Sequence, residues 1–384
     1  MADFIFALPI MTQAQSSPSS TPSALIVGDA PVRLWGLTSR QRLQRQFQRL
    51  GITEGASGKE VLVLHAGWVF DEPLVAALRD GPIDTLLLDE ASGKPVAAKV
   101  RTAAAQSTAE ALAGGGDLST LATRTPATLA NHYNNKLRKR EIPYLLPLSA
   151  ETLTGIEKRM FSGSYKGVTD IVTKYVWPTP ARHVTKACSI AGITPNQVTT
   201  TSLLAVIAAF YAFWHGHFAW GLLAAWFMTF LDTVDGKLAR VTLNSSKFGD
   251  IFDHGIDLIH PPFWYWAWVV GLGVVGLPIE NTALMLWIVI GGYVAQRIEE
   301  GLFQKLFGIQ PHIWRPFDSF FRLITARRNP NLLLLTFAVI VGRPDLGMEW
   351  VAWWTVVGFI VHALQIVQAF IARRHGPITS WLSR

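Results

Sequence analysis

The second half of the chain is a succession of apolar runs, at about 199–214, 218–235, 258–277, 281–298, 331–342 and 349–371, separated by short polar or basic turns. Such runs predict helices, and polar ends extend the shorter ones toward the roughly 20 residues that cross a bilayer. The first third reads differently. Short apolar stretches in SALIVG, EVLVLHAGWVF and DTLLLDE alternate with amphipathic ones such as SRQRLQRQFQRLG, the pattern of a small α/β layer with a largely parallel sheet. The expected fold is mainly α and integral to the membrane: a six-transmembrane-helix bundle preceded by a small α/β soluble domain. The boundaries are a flexible N-terminus at 1–22, the α/β domain at 23–130, a basic amphipathic juxtamembrane segment at 131–191 and the membrane domain at 192–376.

Composition sharpens this division. Half of the 384 residues are hydrophobic, too apolar and too long for one small soluble domain. The net charge of +7 comes from basic residues beside apolar runs, so anionic lipid headgroups are the expected counter-charge. Aromatic and basic residues do not interleave as a nucleic-acid surface requires, which argues against a nucleic-acid partner. Tryptophans 264, 266 and 268, and again 350, 353 and 354, read as interfacial anchors. With six spans both termini share one side, and so do the Lys/Arg-rich segments 137–186, 237–247, 322–328 and 373–374. That side is the cytoplasmic face of a bacterial inner membrane. The single Cys188 excludes an internal disulfide framework, and MADFIFALPIM lacks the basic leading segment of a signal peptide.

The chemistry concentrates in LDTVDGKLARVTLNSSKFGDIFDHGID. Asp232 and Asp235 stand three apart and Asp253 and Asp257 four apart, so each pair shares one face of its helix. Two such helices packed antiparallel about the turn 241–248 bring the four carboxylates together, and hard divalent cations with oxygen ligands suit that cluster. His254 is the only His or Cys within the cluster and points away from the Asp253/Asp257 face, which argues against zinc. Gly236 and Ala239 on one helix and Gly249 on the other leave room beside the backbone, while Arg240 can pair with a phosphate or with the carboxylates. A metal-held nucleotide diphosphate fits this groove.

Asp232-x2-Asp235-Gly236-x2-Ala239-Arg240-x8-Gly249-x3-Asp253-x3-Asp257 resembles the complete signature of the CDP-alcohol phosphotransferase (CDP-alcohol phosphatidyltransferase) family at all eight positions. The resemblance implies an integral-membrane transferase that moves a substituted phosphoryl group from a CDP-alcohol, either CDP-diacylglycerol or a CDP-polyol, to an acceptor hydroxyl with release of CMP. It implies two Mg²⁺ ions, with Mn²⁺ as a substitute, on Asp232, Asp235 and Asp253, and Asp257 as the last member of the metal cluster and the general base. It also implies membrane lipids as partners, a lipid or polyol phosphate as acceptor, and a homodimer. In Thr194-Pro195-Asn196, Asn196 is either a contact of the nucleotide or a plain helix cap. Arg315, Arg322, Arg327 and Arg328 are candidates for an acceptor phosphate, and equally for lipid headgroups or the positive-inside bias. His260, His312, Glu299 and Glu300 are too isolated in sequence to be given a role.

The α/β segment faintly resembles the nucleotidyltransferase fold. Its first turn, Gly28-Asp29-Ala30-Pro31-Val32-Arg33, makes a poor phosphate cradle. Asp71 and Asp89 can bind a metal or serve as caps and turn formers. A degenerate domain is therefore expected, dispensable for phosphotransfer because the whole signature lies beyond residue 231. Two alternatives stand beside this reading: a bifunctional cytidylyltransferase and phosphotransferase making a soluble inositol-type phosphodiester, and a non-catalytic cation-binding transporter or scaffold.

Overall fold

The computed structural model describes residues 22–135 and 137–383; the expected flexible N-terminus falls almost wholly outside them. Strands β1 (Ser23–Val27), β2 (Thr53–Glu54), β3 (Glu60–His65), β4 (Thr85–Leu88), β5 (Pro95–Arg101) and β6 (Ala122–Arg124) form one sheet in the order β2-β1-β3-β5-β4-β6. Strand β1 runs parallel to β2 and β3, and β4 parallel to β6, but β5 is antiparallel to both its neighbours. The sheet is thus mixed, with three parallel and two antiparallel pairings, because β4 returns into β5 through a tight turn where a parallel pair would need a crossover helix. Asp89 builds that turn, its carboxylate accepting from Ser92 N at 2.8 Å and from Ser92 Oγ at 2.6 Å.

Alternation along β3 explains how the sheet is covered. Leu62 and Leu64 face a core with Leu43 and Phe47 of helix α1 (Ser39–Leu50) and Leu74 and Val75 of α2 (Glu72–Asp80). Val61 and Val63 face the other side, against Ala105, Ala109 and Leu112 of α3 (Thr102–Gly114). Helix α1 opens on a Thr38/Gln41 capping box and stops at Gly51 in the left-handed conformation. In the turn after β1, Asp29 accepts from Ala30 N at 2.8 Å, and a Cβ at Gly28 would stand 2.7 Å from the His65 ring. That turn is closed on itself and capped by an imidazole. Asp71 precedes α2, and burial pushes its carboxyl up to about 6.

The stretch 131–191, expected as one amphipathic segment, is folded. Leu145–Pro147 pairs antiparallel with Trp68–Phe70, and helices α4 (Leu153–Gly163), α5 (Ile171–Tyr175) and α6 (Pro178–Ile190) follow. Beyond them come α7 (Pro195–Trp214), α8 (Phe218–Val241), α9 (Lys247–Val274), a short helix Thr282–Leu286 continuing through a π turn into α10 (Gly292–Phe307), then α11 (Arg328–Ile340) and α12 (Pro344–Arg373). Among the described residues two helices, α7 and α12, are long and apolar enough to cross a membrane. Charges interrupt the apolar character of α8 and α9, and α10 and α11 are short. The outer surfaces are apolar all the same, with Leu204, Trp220, Leu223, Trp287, Phe337, Trp353 and Ile360 exposed.

Phe213, Phe218, Met228, Trp264, Trp268, Leu335 and Met348 lie in the core between these helices. Trp264 and Trp268 are therefore not interfacial anchors. They share the inner face of α9 and satisfy their indole N–H groups on Val206 O at 3.0 Å and Pro344 O at 3.1 Å. Trp266 and Trp353 do project outward.

Close packing of α9 on the end of α7 depends on one missing side chain, since a Cβ at Gly271 would stand 2.0 Å from Phe213 O. Gly271→Ala is expected to cost about 3 kcal/mol or more, because backbone cannot move aside cheaply. Gly273→Ala, whose methyl meets nothing within 4 Å, is expected to leave stability unchanged or slightly raised. Thermal unfolding of the two purified variants checks this, and equal midpoints contradict it.

Candidate active site

Helices α8 and α9 form a hairpin whose turn, at about 242–246, contains Leu243 at φ 53° and ends at Ser246, which caps α9 by accepting from Gly249 N at 3.0 Å. Carboxylate oxygens of Asp232, Asp235 and Asp253 lie within 4.8 Å of one another. Thr199 Oγ1 of α7 donates to Asp235 Oδ2 at 2.6 Å, while Asp235 Oδ1 is buried without a partner among the described residues. Three converging hard oxygen donors, one carrying an orphaned buried lone pair, suit a divalent cation.

Asp257 is oriented differently. It and Asp232 both grip Arg328, at the start of α11, which donates to Asp232 Oδ2 at 2.5 Å and to Asp257 Oδ1. One guanidinium therefore compensates two of the four acids. His254 Nδ1 lies 4.0 Å from Asp253. Its side chain is largely exposed and lies at the cleft rim, 2.7 Å from Asp250 O, so it does not point clear of the site as the spacing suggested.

Thr194 caps α7 in a capping box with Gln197, which leaves Asn196 for another contact. A Cβ at Gly249 would stand 2.5 Å from Asn196 Oδ1, so a side chain there would have to displace the Asn196 amide. At Gly236 a Cβ would meet Arg240 at 3.6 Å, an ordinary contact. Ala239 is half-buried on the same helix, and Arg240 reaches Ser164 O at 3.4 Å.

Gly236, Arg240, Asp232, Asp253 and Asp257 open onto a cleft of about 410 Å³. Eight Lys and Arg side chains against five carboxylates line it. One wall is the connector before α7. Lys237 sits 3.4 Å above the Tyr165 ring, and burial pulls Lys166 down to about 8, with Arg138, Arg240 and Arg322 adding to the effect. Asp170 caps α5 and accepts from Asn329 Nδ2 at 2.9 Å.

The facing wall is built around Glu300 and His312, which sequence spacing left without a role, together with two of the candidate arginines. Glu300 of α10 pairs with Arg297 at 2.9 Å, with His312 at 3.2 Å and with Arg327. Arg322 is buried beside them, and its Nε and Nη1 have no partner among the described residues. Burial and then the charge of Arg327 hold its pKa well below the usual guanidinium value, the condition of a cation short of a counter-anion. Of the four arginines singled out in sequence, Arg322, Arg327 and Arg328 line the cleft. Arg315 lies elsewhere, held by Asp318 at 2.9 Å and Gln368 at 2.7 Å and stacked on Trp314.

Residues 192–309 match the family model described as CDP-alcohol phosphatidyltransferase. The chain is 31% identical over 115 residues to a phosphatidylinositol phosphate synthase of Mycobacteroides abscessus, a match covering 28% of this chain and 52% of that protein. It is 39% identical over 79 residues to an archaetidylinositol phosphate synthase of Pyrococcus horikoshii, covering 20% of this chain and 42% of the relative. An ethanolaminephosphotransferase 1 of Pongo abelii matches at 27% over 177 residues, covering 40% and 42%. The chain thus spans about half the length, or less, of these curated relatives. The segment 192–309, which carries the eight-position signature about one acidic cluster, is thus similar to the CDP-alcohol phosphatidyltransferase family.

Proposed function

We propose that the protein is a membrane-embedded transferase that moves a substituted phosphoryl group from a CDP-alcohol to the hydroxyl of an anionic acceptor and releases CMP, in phospholipid or phosphodiester synthesis. The observation that carries this reading is the convergence of Asp232, Asp235 and Asp253 at the edge of a cleft whose other walls are cationic. Helices α7 to α12 are read as six spans, with their apolar faces toward lipid and the cleft on the cytoplasmic side where the basic segments lie. The site then meets a water-soluble substrate on one side and a lipid on the other.

Asp232, Asp235 and Asp253 would hold Mg²⁺ or Mn²⁺, and a bound divalent ion would screen the donor diphosphate and the charge that develops on CMP. The nucleotide lies along the groove at Gly236 and Ala239, between Arg240 and the Gly249/Asn196 contact. In the transfer, the acceptor oxygen forms a bond to the phosphorus that carries the alcohol group, and the P–O bond to CMP breaks with its electron pair leaving on CMP. Asp257 takes the proton from the attacking hydroxyl. Its ion pair with Arg328 holds it beside Asp232. An acceptor phosphate suits Arg322, whose unpartnered nitrogens lie in the cleft wall with Arg327 and Lys166 nearby. The names of two relatives, synthases of inositol phosphate lipids, favour CDP-diacylglycerol with a phosphorylated polyol over a CDP-polyol donor.

The purified full chain, incubated with a panel of CDP-alcohols and acceptors, is expected to release CMP only with Mg²⁺ or Mn²⁺, and to stop on chelation. Absence of CMP with every donor, or release that ignores the metal, overturns the reading. Arg322→Gln is expected to raise KM for a phosphorylated acceptor by about 10- to 100-fold, the worth of a charge-assisted hydrogen bond at about 1.5–3 kcal/mol, and to leave KM for the donor alone. An unchanged acceptor KM removes Arg322 from the acceptor site.

A further inference from the structure

The N-terminal domain meets the active-site hairpin directly. Arg42, Arg45 and Arg49 share one face of α1, at spacings of three and four residues. Arg42 Nη1 donates to Val241 O at 2.7 Å, Arg45 Nη1 to Thr242 O at 2.6 Å and Arg49 Nη1 to Ser245 Oγ at 2.8 Å. Val241 and Thr242 are the last residue and the cap of α8. Their carbonyls belong to the end of the helix that lacks intrahelical donors and carries the negative end of its dipole. Two guanidinium groups from nearly 200 residues away, 199 and 197 in sequence separation, satisfy them.

The apolar packing tells the same story. Asp232, Gly236 and Arg240 face the cleft, while Leu231, Val234, Leu238 and Val241 on the opposite face of α8 lie in one core with Ala30, Leu34, Trp35 and Val69 of the N-terminal domain. Asp232 and Asp235 precede the turn at 242–246 and Asp253 and Asp257 follow it, so whatever holds that turn sets the relative position of the two halves of the cluster.

We propose that Arg42 and Arg45 are positioning residues of the phosphotransfer site: by clamping the C-terminal carbonyls of α8 they make the N-terminal domain a working part of the cation and nucleotide site, not a dispensable appendage. The inference rests on the proposed function for its kinetic consequences, and on the acidic cluster alone for its consequences for cation binding. Loosening the turn spreads Asp232/Asp235 from Asp253 and Gly236 from Gly249. The acceptor wall of α10, Arg322 and Arg327 is built from other elements and does not move with it.

The test uses the full chain in lipid nanodiscs. Mn²⁺ binding is read by electron paramagnetic resonance, and KM is measured separately for donor and acceptor. Arg45 is half-buried and Arg45→Ala removes one charge-assisted hydrogen bond, so the Mn²⁺ Kd and the donor KM are expected to rise about tenfold each while the acceptor KM stays within about twofold. Arg45→Lys keeps a cationic donor and is expected to recover most of both. Arg40 lies on the same helix and, among the described residues, bonds within its own domain, to Ile26 O and Glu54, so Arg40→Ala is expected to behave as wild type. Unchanged Mn²⁺ affinity and donor KM in folded Arg45→Ala overturn the proposal. So does a loss of active protein in which the surviving fraction keeps wild-type Kd and KM values, since that is a purely structural effect. A wild-type chain that binds Mn²⁺ but releases no CMP refutes the phosphotransfer reading and leaves the Mn²⁺ arm to decide the clamp. A wild-type chain that binds no Mn²⁺ overturns both.

Discussion

Mutual repulsion among carboxylates is the constraint around which the second half of this protein is arranged. Asp232, Asp235 and Asp253 bring oxygens within 4.8 Å of one another on a helical hairpin, and charges that close in a poorly hydrated site are tolerated only when cations answer them. Arg328 answers two of the four acids from the first turn of α11. Thr199 gives a hydrogen bond to a third. What is left, an unpartnered Asp235 oxygen beside Asp253, is the part of the cluster that still calls for an ion.

The cleft beyond has the opposite imbalance. Its basic side chains outnumber its acids, and Arg322 keeps buried donors without acceptors among the described residues. A cation-bound anion bridging the two regions would answer both imbalances at once, and a metal-held diphosphate is of that kind: its oxygens ligate hard cations and accept from guanidinium groups. Glu300 has a supporting part. By holding Arg297, His312 and Arg327 together it fixes the wall in which Arg322 sits.

The hairpin was legible in the sequence because its information is local. Eight positions at fixed spacing lie within 26 residues, from Asp232 to Asp257, and helical periodicity alone puts the acids on facing sides. Thr194 and Asn196 were legible as a pair but not in their division of labour, which depends on Gly249 approaching Asn196. The partners of the acids were not legible, because Arg328 lies 96 residues from Asp232. Neither were the Glu300 cluster and the Arg42/Arg45 clamp, whose members meet only through tertiary packing. Basic residues in a membrane-associated chain look alike in sequence whether they face lipid or a cleft; Arg315 and Arg322, seven apart, have opposite fates. Trp264 and Trp268 were misread for a related reason. Position near a span end suggests an interface, whereas their shared helix face puts them in the core.

The most direct measurement is anomalous diffraction at the manganese edge from crystals of the full chain grown with Mn²⁺. The account predicts a peak among the carboxylates of Asp232, Asp235 and Asp253, with Asp235 Oδ1 among its ligands, and no peak in crystals of Asp253→Ala. Wild-type crystals with the cluster compensated by Arg328 alone, and no anomalous density there at saturating Mn²⁺, would contradict it.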